Sequence, residues 1–187
     1  TEIAFLQLRK MENEKARELA MKALSINTYD PAANFAYGLA NVATDRVIDA
    51  QDAFSISAAS MEYRSASFTE LAKLYLRKSE LKKSFDYAQK AVTEQPKNIE
   101  AWQIISILHR VNGEKEKATN SLSKIKALNP LSHFVNAEKL LWNEITPQDF
   151  ARQVNQEMSD EVYLTLAGWY QNLYRNQDAL IILKHAP

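Results

Sequence analysis

The sequence predicts an all-α protein, in which antiparallel helix pairs stack into an α-solenoid, a right-handed superhelix. The chain has 187 residues, 46% of them hydrophobic, which is enough for a sizeable core. Only 3 glycines and 5 prolines occur, while Ala, Leu, Lys, Glu and Gln abound, so the composition favours helices over a turn-rich β-protein. The remaining observation is an internal repeat that runs through most of the chain.

The repeat is marked by residues that recur at a fixed distance. Pro96 and Pro130 lie 34 residues apart, as do Phe68 and Trp102. With Ser65 as position 1 of a unit, the prolines fall at position 32, the large aromatic residues at position 4, and small residues at positions 8, 20 and 27. Small residues let two helices approach closely, and large ones fill the spaces between pairs. The small residues include Gly38, Ala50, Ala72, Ala91, Ser106 and Ala118.

We expect one array over 1–187. The predicted units, in order, are a partial repeat at 1–30, full repeats at 31–64, 65–98 and 99–132, an irregular helix pair at 133–159, and a last repeat at 160–187.

The pattern fails after Pro130, where two helices are expected outside the repeat spacing. The first is "SHFVNAEKLLWNE", whose inward-facing residues are expected to be Phe134, Ala137, Leu140 and Leu141. The second is "TPQDFARQVNQEM", in which Thr146 is the expected N-cap and Pro147 the first helical residue.

The combination of a large residue at position 4, a small one at 8, Tyr at 11, Ala at 20 and 27 and Pro at 32 resembles the tetratricopeptide repeat. The strings "SMEYRSASFTELAKLYL", "LNPLSHFVNAEKLLW" and "VYLTLAGWYQNLYRNQDALIILKHAP" are also similar to the helical-repeat region of large bacterial proteins. Those proteins carry an uncharacterised upstream β-domain related to sugar mutarotases. The chain starts without a methionine, and we expect it to be a fragment excised from a larger protein.

The resemblance implies that the first helix of each pair lines a concave groove. This groove would be apolar at one end and partly cationic further on, which would suit a peptide with an apolar anchor and an acidic group. The residues expected to bind a ligand there are Phe35, Leu39, Thr69, Lys73, Arg77, Gln103 and Arg110. The alternative is that these residues pack on neighbouring repeats or on another domain of the same polypeptide.

Charge and residue usage exclude several classes of partner. The 23 Lys and Arg residues balance the 23 Asp and Glu residues, so no net field attracts nucleic acid or an anionic membrane. A local excess of Lys and Arg at residues 64–126 falls largely on second helices, where a solvated surface is expected. No apolar run approaches the ~20 residues needed to span a bilayer, so we expect no membrane insertion. The absence of cysteine leaves the compartment open between cytoplasm and periplasm.

No motif points to catalysis, a cofactor or a metal. The 3 histidines have no catalytic or metal-binding spacing, and no zinc-protease, P-loop, nucleophile-elbow or dinucleotide-binding pattern occurs. His109 takes the packing position 11 and is expected in the core.

The sequence therefore predicts a non-enzymatic protein-interaction module or an intramolecular scaffold. Its partner would be a protein, a peptide or another domain of the same polypeptide. The alternative is an accessory segment of a carbohydrate-active enzyme that helps to form a glycan-binding cleft, with carbohydrate reached through the parent protein. Trp102 is expected in the core, and Trp142 is the more open candidate for stacking on a sugar.

Overall fold

The computed structural model describes residues 1–154 and 159–186 of the chain. This part of the chain folds into helices and contains no strand. The helices are α1 (Glu2–Arg9), α2 (Asn13–Ile26), α3 (Pro31–Ala43), α4 (Val47–Ser57), α5 (Met61–Arg77), α6 (Leu81–Glu94), α7 (Ile99–Val111), α8 (Lys115–Leu128), α9 (His133–Leu141), α10 (Pro147–Val154), α11 (Ser159–Asn172) and α12 (Asn176–Leu183).

The internal contacts divide the chain into two compact units. Unit 1 comprises Thr1–Tyr75 and Asp86–Asn98, and unit 2 comprises Leu76–Phe85 and Ile99–Pro187. Helices α5 and α6 each contribute residues to both units.

Small residues let the helices of unit 1 pack closely. Gly38 on α3 faces Phe54 on α4, and a Cβ added to Gly38 would lie 2.6 Å from the Phe54 ring. No side chain larger than hydrogen fits there without movement of the ring. Phe54 is fully buried and packs with Ala50, Leu71 and Leu74 in one apolar cluster. A second cluster in this unit consists of Ala4, Ala20 and Ala36.

Buried hydroxyl groups connect the helices of unit 1 through backbone oxygens. Ser57 on α4 donates to the carbonyl oxygen of Pro31 at 2.8 Å. Ser65 on α5 donates to the carbonyl oxygen of Ala91 on α6 at 2.9 Å. These bonds satisfy polar groups that would otherwise be buried without a partner.

In unit 2, α7 and α8 form a regular helix pair whose core is aliphatic. Ile104, Ile107 and Leu108 of α7 are almost fully buried, as are Ala118 and Ile125 of α8. Trp102, which the sequence places in the core, is half-buried.

The helices that follow α8 pack mainly through aromatic rings. The ring centroid of Phe134 on α9 lies 5.0 Å from Trp169 and 6.0 Å from Tyr170, both on α11. Phe150 on α10 packs edge-on against Tyr163 at 5.4 Å. The aromatic pairs fill the space where the repeat spacing is lost.

Two helices, α9 and α10, lie where the sequence predicts helices outside the repeat spacing. Helix α9 buries Phe134, Ala137 and Leu140 as expected, whereas Leu141 is only half-buried. The predicted end of the second helix, at residues 155–158, lies outside the described residues.

Thr146 caps α10 as the sequence predicts. Its hydroxyl accepts a hydrogen bond from the Asp149 backbone N–H at 3.1 Å, and an Asp149 carboxylate oxygen accepts from the Thr146 N–H at 3.3 Å. This reciprocal arrangement is a capping box. The hydrogen bonds from Thr146 lower the pKa of Asp149 below its usual value.

The turn within each regular pair contains one residue with a positive φ at a constant place. Met11, Asp45, Ser79 and Gly113 adopt this left-handed conformation and follow one another at the repeat spacing. Backbone bonds of the Schellman type close these turns, for example from the N–H of Glu114 to the carbonyl oxygen of His109 at 2.9 Å. The repeat is therefore visible in the backbone geometry as well as in the side chains.

Candidate functional site

The predicted ligand-binding residues of unit 1 contribute to packing. Phe35 contacts the rings of Phe54 at 5.6 Å and Tyr63 at 5.4 Å. Leu39 is partly buried against the same apolar cluster. Thr69 is only 2% exposed, and its hydroxyl donates to the Ser65 carbonyl oxygen at 2.9 Å.

Two of the predicted cations have partners within the chain. Lys73 lies 2.7 Å from a carboxylate oxygen of Glu70, one turn earlier on α5. Arg77, at the end of α5, donates through Nε to the Asn172 carbonyl oxygen at 2.6 Å and lies over the Tyr174 ring at 5.5 Å. An acidic ligand would have to displace these contacts.

Arg110 is held by two carboxylates. Its Nε and Nη2 donate to the two oxygens of Glu138 at 2.8 and 3.2 Å. Its Nη1 and Nη2 donate to the two oxygens of Asp178 at 3.2 and 2.8 Å. Tyr170 donates to Glu138 at 2.7 Å, and Arg175 donates to Asp178 at 2.9 Å. We call these five residues the charge network.

The charge network lies out of solvent. The side chains of Arg110, Glu138 and Asp178 are 10%, 1% and 7% exposed. It joins α7, α9, α11 and α12, elements that are far apart in sequence. Such pairs are strongly destabilising to break, because removing one partner leaves the other charge buried alone.

Burial and charge act against each other in this network. Burial opposes the charged form of Arg110, but Glu138 and Asp178 outweigh it and raise the pKa of Arg110 above its ordinary value. Burial raises the pKa of Glu138, and Arg110 offsets only part of that rise. Burial alone would raise the pKa of Asp178, but the hydrogen bonds and charges of Arg110 and Arg175 outweigh burial and lower this pKa below its usual value. Burial and the nearby Glu138 raise the pKa of Tyr170, which keeps its phenol protonated and able to donate.

Gln103, one of the predicted ligand-binding residues, lines a cleft in unit 2. The cleft has a volume of about 490 Å³, within the ~300–1,000 Å³ of typical ligand sites. It lies among α7, the α8–α9 loop, the start of α9 and the first turns of α11. The lining residues are Gln103, Asn129, Leu131, Ser132, His133, Phe134, Glu161, Val162, Thr165, Leu166 and Trp169.

The cleft combines an apolar wall with a polar rim. Phe134 and Trp169 are fixed by their edge-to-face contact. Leu131, in the α8–α9 loop, is 79% exposed. Glu161, in the first turn of α11, is exposed and carries the charge at the rim. An apolar wall with a few polar groups is suited to holding one large apolar group in a defined orientation.

Sequence reasoning missed the charge network and most of the cleft. One signal was present, because Glu138 occupies the buried stripe of α9, one helical turn after Phe134. An acidic residue in an apolar stripe indicates a buried partner. Nothing local identifies that partner, since Arg110 and Asp178 lie in other helices.

The remaining residues considered in the sequence analysis, His109, Trp142 and the surface lysines, lie outside the cleft lining. His109 is almost buried, its Nδ1 lies 2.6 Å from a Glu114 carboxylate oxygen, and its ring packs edge-on against Phe85. Trp142 is half-buried at the C-cap of α9 and does not line the cleft. The lysines expected at the surface are exposed, among them Lys82, Lys83, Lys90, Lys115 and Lys117.

Within 1–154 and 159–186, no group of three or more His, Asp or Glu side chains is placed to hold a metal ion. No helix in that part of the chain is both long and apolar enough to cross a membrane.

Solved structures with similar folds include TTC0263, MamA and YrrB. TTC0263, a thermophilic tetratricopeptide-repeat protein of Thermus thermophilus, matches with a TM-score of 0.68 and 17% identity over 97% of this chain and 96% of its own. MamA matches with a TM-score of 0.63 and 13% identity over 99% of this chain and 92% of its own. YrrB, a tetratricopeptide-repeat protein with an unusual peptide-binding site, matches with a TM-score of 0.60 and 18% identity over 98% of this chain and 88% of its own.

These likenesses show the fold and confirm the predicted class, an all-α solenoid of the tetratricopeptide type. No protein-family model matches the chain, and no curated protein matches it in sequence. At such low identities the shared fold by itself assigns neither ligand nor residue roles.

Proposed function

We propose that this chain is a protein-interaction or scaffold module, and that the cleft of unit 2 binds a peptide segment of a partner protein. The observation that carries the proposal is the combination of an exposed Leu131, a fixed Phe134–Trp169 wall and polar groups at the rim. The fold supports the proposal, because stacked helix pairs present extended surfaces for binding. YrrB, which has a similar fold, is a peptide-binding protein.

Of the ligand site predicted from the sequence, only the part at Gln103 is kept in this proposal. Of the seven residues, Gln103 lines the cleft. Lys73, Arg77 and Arg110 already have partners. We therefore place the peptide at the cleft rather than along the groove predicted from the first helices of the repeats.

Selection of peptides from a random display library on the full chain tests this function. We expect enriched peptides to lose binding to a Leu131→Glu variant, which places a charge at the cleft without disturbing the core. Ile26→Glu is the matched control, because Ile26 is 90% exposed and does not line the cleft. Failure to enrich any peptide, or equal binding by both variants, would overturn the proposal.

The scaffold role would place the partner segment within the same polypeptide. The link to a parent protein with a sugar-mutarotase-like β-domain belongs to this proposal. Hydrogen exchange of the full-length parent protein and of this chain provides the test. Slower exchange at residues 129–134 and 161–169 in the parent would support an internal occupant, and equal exchange would exclude one.

Glycan binding is the second candidate, and the half-buried Trp169 is the observation that favours it. Its indole lines the cleft beside the amides of Gln103 and Asn129, a combination that can stack on and hydrogen-bond to a sugar. Titration with maltohexaose and cellohexaose, followed by tryptophan fluorescence, tests this. Saturable binding that is lost on Gln103→Leu would support the glycan role. Loss on Trp142→Ala instead would move the sugar site outside the cleft.

A further inference from the structure

We infer that the cleft of unit 2 selects a peptide in which a bulky apolar side chain is followed or preceded by a lysine or arginine, with Glu161 as the counter-charge. This inference rests on the proposed peptide-binding function and specifies the chemistry of its ligand. It reverses the charge of the acidic peptide that the sequence favours.

The charge of the cleft lining bears on the charge of the ligand. No lysine or arginine is among the lining residues, and Glu161 is the only carboxylate there. Glu161 is exposed, and within residues 1–154 and 159–186 it forms no ion pair. An acidic peptide would approach this carboxylate with a like charge, whereas a basic one would gain an ion pair.

The arginines of the charge network are already bonded to carboxylates. Arg110 and Arg175 of unit 2 are both bonded to Asp178. Arg110 is also bonded to Glu138. Recruiting Arg110 to a ligand would leave two buried carboxylates with one partner fewer, which is strongly unfavourable. Arg110 is therefore held by the charge network and is not available to an acidic ligand.

The apolar wall of the cleft suits a bulky side chain as the anchor of the peptide. The cleft volume of about 490 Å³ accommodates a leucine or an aromatic side chain, and a few well-buried anchor residues contribute most of the binding energy at an interface. Phe134 and Trp169 form a wall that already exists without ligand, because each ring is fixed by Tyr170 as well as by the other. Little reorganisation is needed when the anchor enters, which favours binding.

Gln103 and Thr165 supply polar contacts on the same lining. The amide of Gln103 can both donate and accept, which matches the peptide backbone of a ligand. These groups orient the peptide segment. Glu161 then favours a lysine or an arginine as the residue beside the anchor.

Glu161 also has a role that needs no ligand. It lies in the first turn of α11, where a carboxylate interacts favourably with the helix dipole. Glu116 lies in the first turn of α8, is exposed, and does not line the cleft. Glu116→Gln therefore makes the same charge change at a comparable helix position and serves as the matched control.

Three synthetic peptides with one Gly/Ser framework and a leucine anchor test the inference, carrying Lys, Gln or Glu beside the leucine. Their affinity for the full chain is measured by fluorescence anisotropy. We expect the Lys peptide to bind about two- to fivefold more tightly than the Gln peptide, as for a partly exposed ion pair, and the Glu peptide to bind most weakly. The preference should shrink as ionic strength rises.

Variants then assign the preference to Glu161. Glu161→Gln should remove the difference between the Lys and Gln peptides, Glu161→Lys should favour the Glu peptide, and Glu116→Gln should change neither. A preference that survives Glu161→Gln, or tighter binding of the Glu peptide to the unaltered chain, overturns the inference.

Peptide binding at the cleft and the preference for a basic residue are contradicted by different results. If all three peptides bind equally and Leu131→Glu abolishes binding, peptide recognition at the cleft stands and the basic preference is excluded. If none of the three binds but a peptide from the display library binds with sensitivity to Leu131→Glu, Lys, Gln and Glu are compared beside the anchor of that peptide, and no advantage of Lys excludes the preference. If no peptide binds in either experiment, both proposals are overturned.

Discussion

The helices of unit 1 and those joined by the charge network of unit 2 are held together by different interactions. In unit 1, small residues bring helices close, and buried hydroxyls such as Ser57 and Ser65 bond to backbone oxygens without any charge. In unit 2, Arg110 connects two buried carboxylates on different helices. Regular repeats can rely on shape, because each pair meets the same neighbour geometry. Where the repeat spacing fails, directional polar bonds hold the helices in one arrangement.

The largest expected effect is the loss of the charge network. Arg110→Ala should lower the free energy of unfolding by about 3–5 kcal/mol, because Glu138 and Asp178 would remain buried without their common partner. Urea denaturation of the full chain measures this. Arg152→Ala, which breaks an exposed pair with Asp149, is the control and should have no measurable effect. A loss for Arg110→Ala below about 1 kcal/mol would show that the network does not stabilise unit 2.

In unit 1 the corresponding loss comes from an apolar residue. Phe54→Ala should also cost about 3–5 kcal/mol, as a fully buried aromatic truncation. Ile48→Ala on the same helix should stay within about 0.5 kcal/mol, because Ile48 is 72% exposed. Similar small losses for both variants would contradict the packing of α3 against α4.

Alanine substitutions at two glycines should have opposite signs in the two units. Gly38→Ala should cost about 1–3 kcal/mol, because the added Cβ would meet the Phe54 ring. Gly168→Ala on α11 should stabilise the chain by about 0.5–1 kcal/mol, because nothing lies within 4 Å of an added Cβ. Thermal and urea unfolding of both variants give the comparison. A Gly38→Ala/Phe54→Leu double variant should lose less stability than the sum of the losses of the two single variants. Additive losses would mean that the two residues do not interact.

The smallest of these losses of stability is expected at a helix cap. Thr146→Ala should cost about 1 kcal/mol, because it removes the hydroxyl of the capping box. Ser132 is the N-cap of α9 but forms no side-chain cap bond, so Ser132→Ala should change the free energy of unfolding by much less. Equal costs would show that the hydroxyl of Thr146 is not what stabilises α10.

The outcome for individual residues shows which inferences sequence supports. Gly38, Ala72, Ala91 and Ala118 are buried as their repeat positions predict. Thr146 caps α10 because capping depends on residues only three apart. Local spacing is enough for both kinds of inference.

Arg110 shows where sequence reasoning stops. The repeat position places it among groove residues, but its partners Glu138 and Asp178 lie 28 and 68 residues further along the chain. The same holds for Arg77, which contacts Asn172 at a separation of 95 residues. Pairings at such distances depend on how the helices are packed, which no local spacing encodes.

The sequence by itself determined the helical class, the repeat spacing, the small residues of the helix contacts and the place where the repeat fails. These depend on periodicity and on interactions between near neighbours. Only the tertiary structure decided which cations were already paired and where a cleft remained open. Leu131, Phe134, Glu161 and Trp169 form one site because separate helices bring them together, and that requires the packing of whole elements rather than the pattern of any one of them.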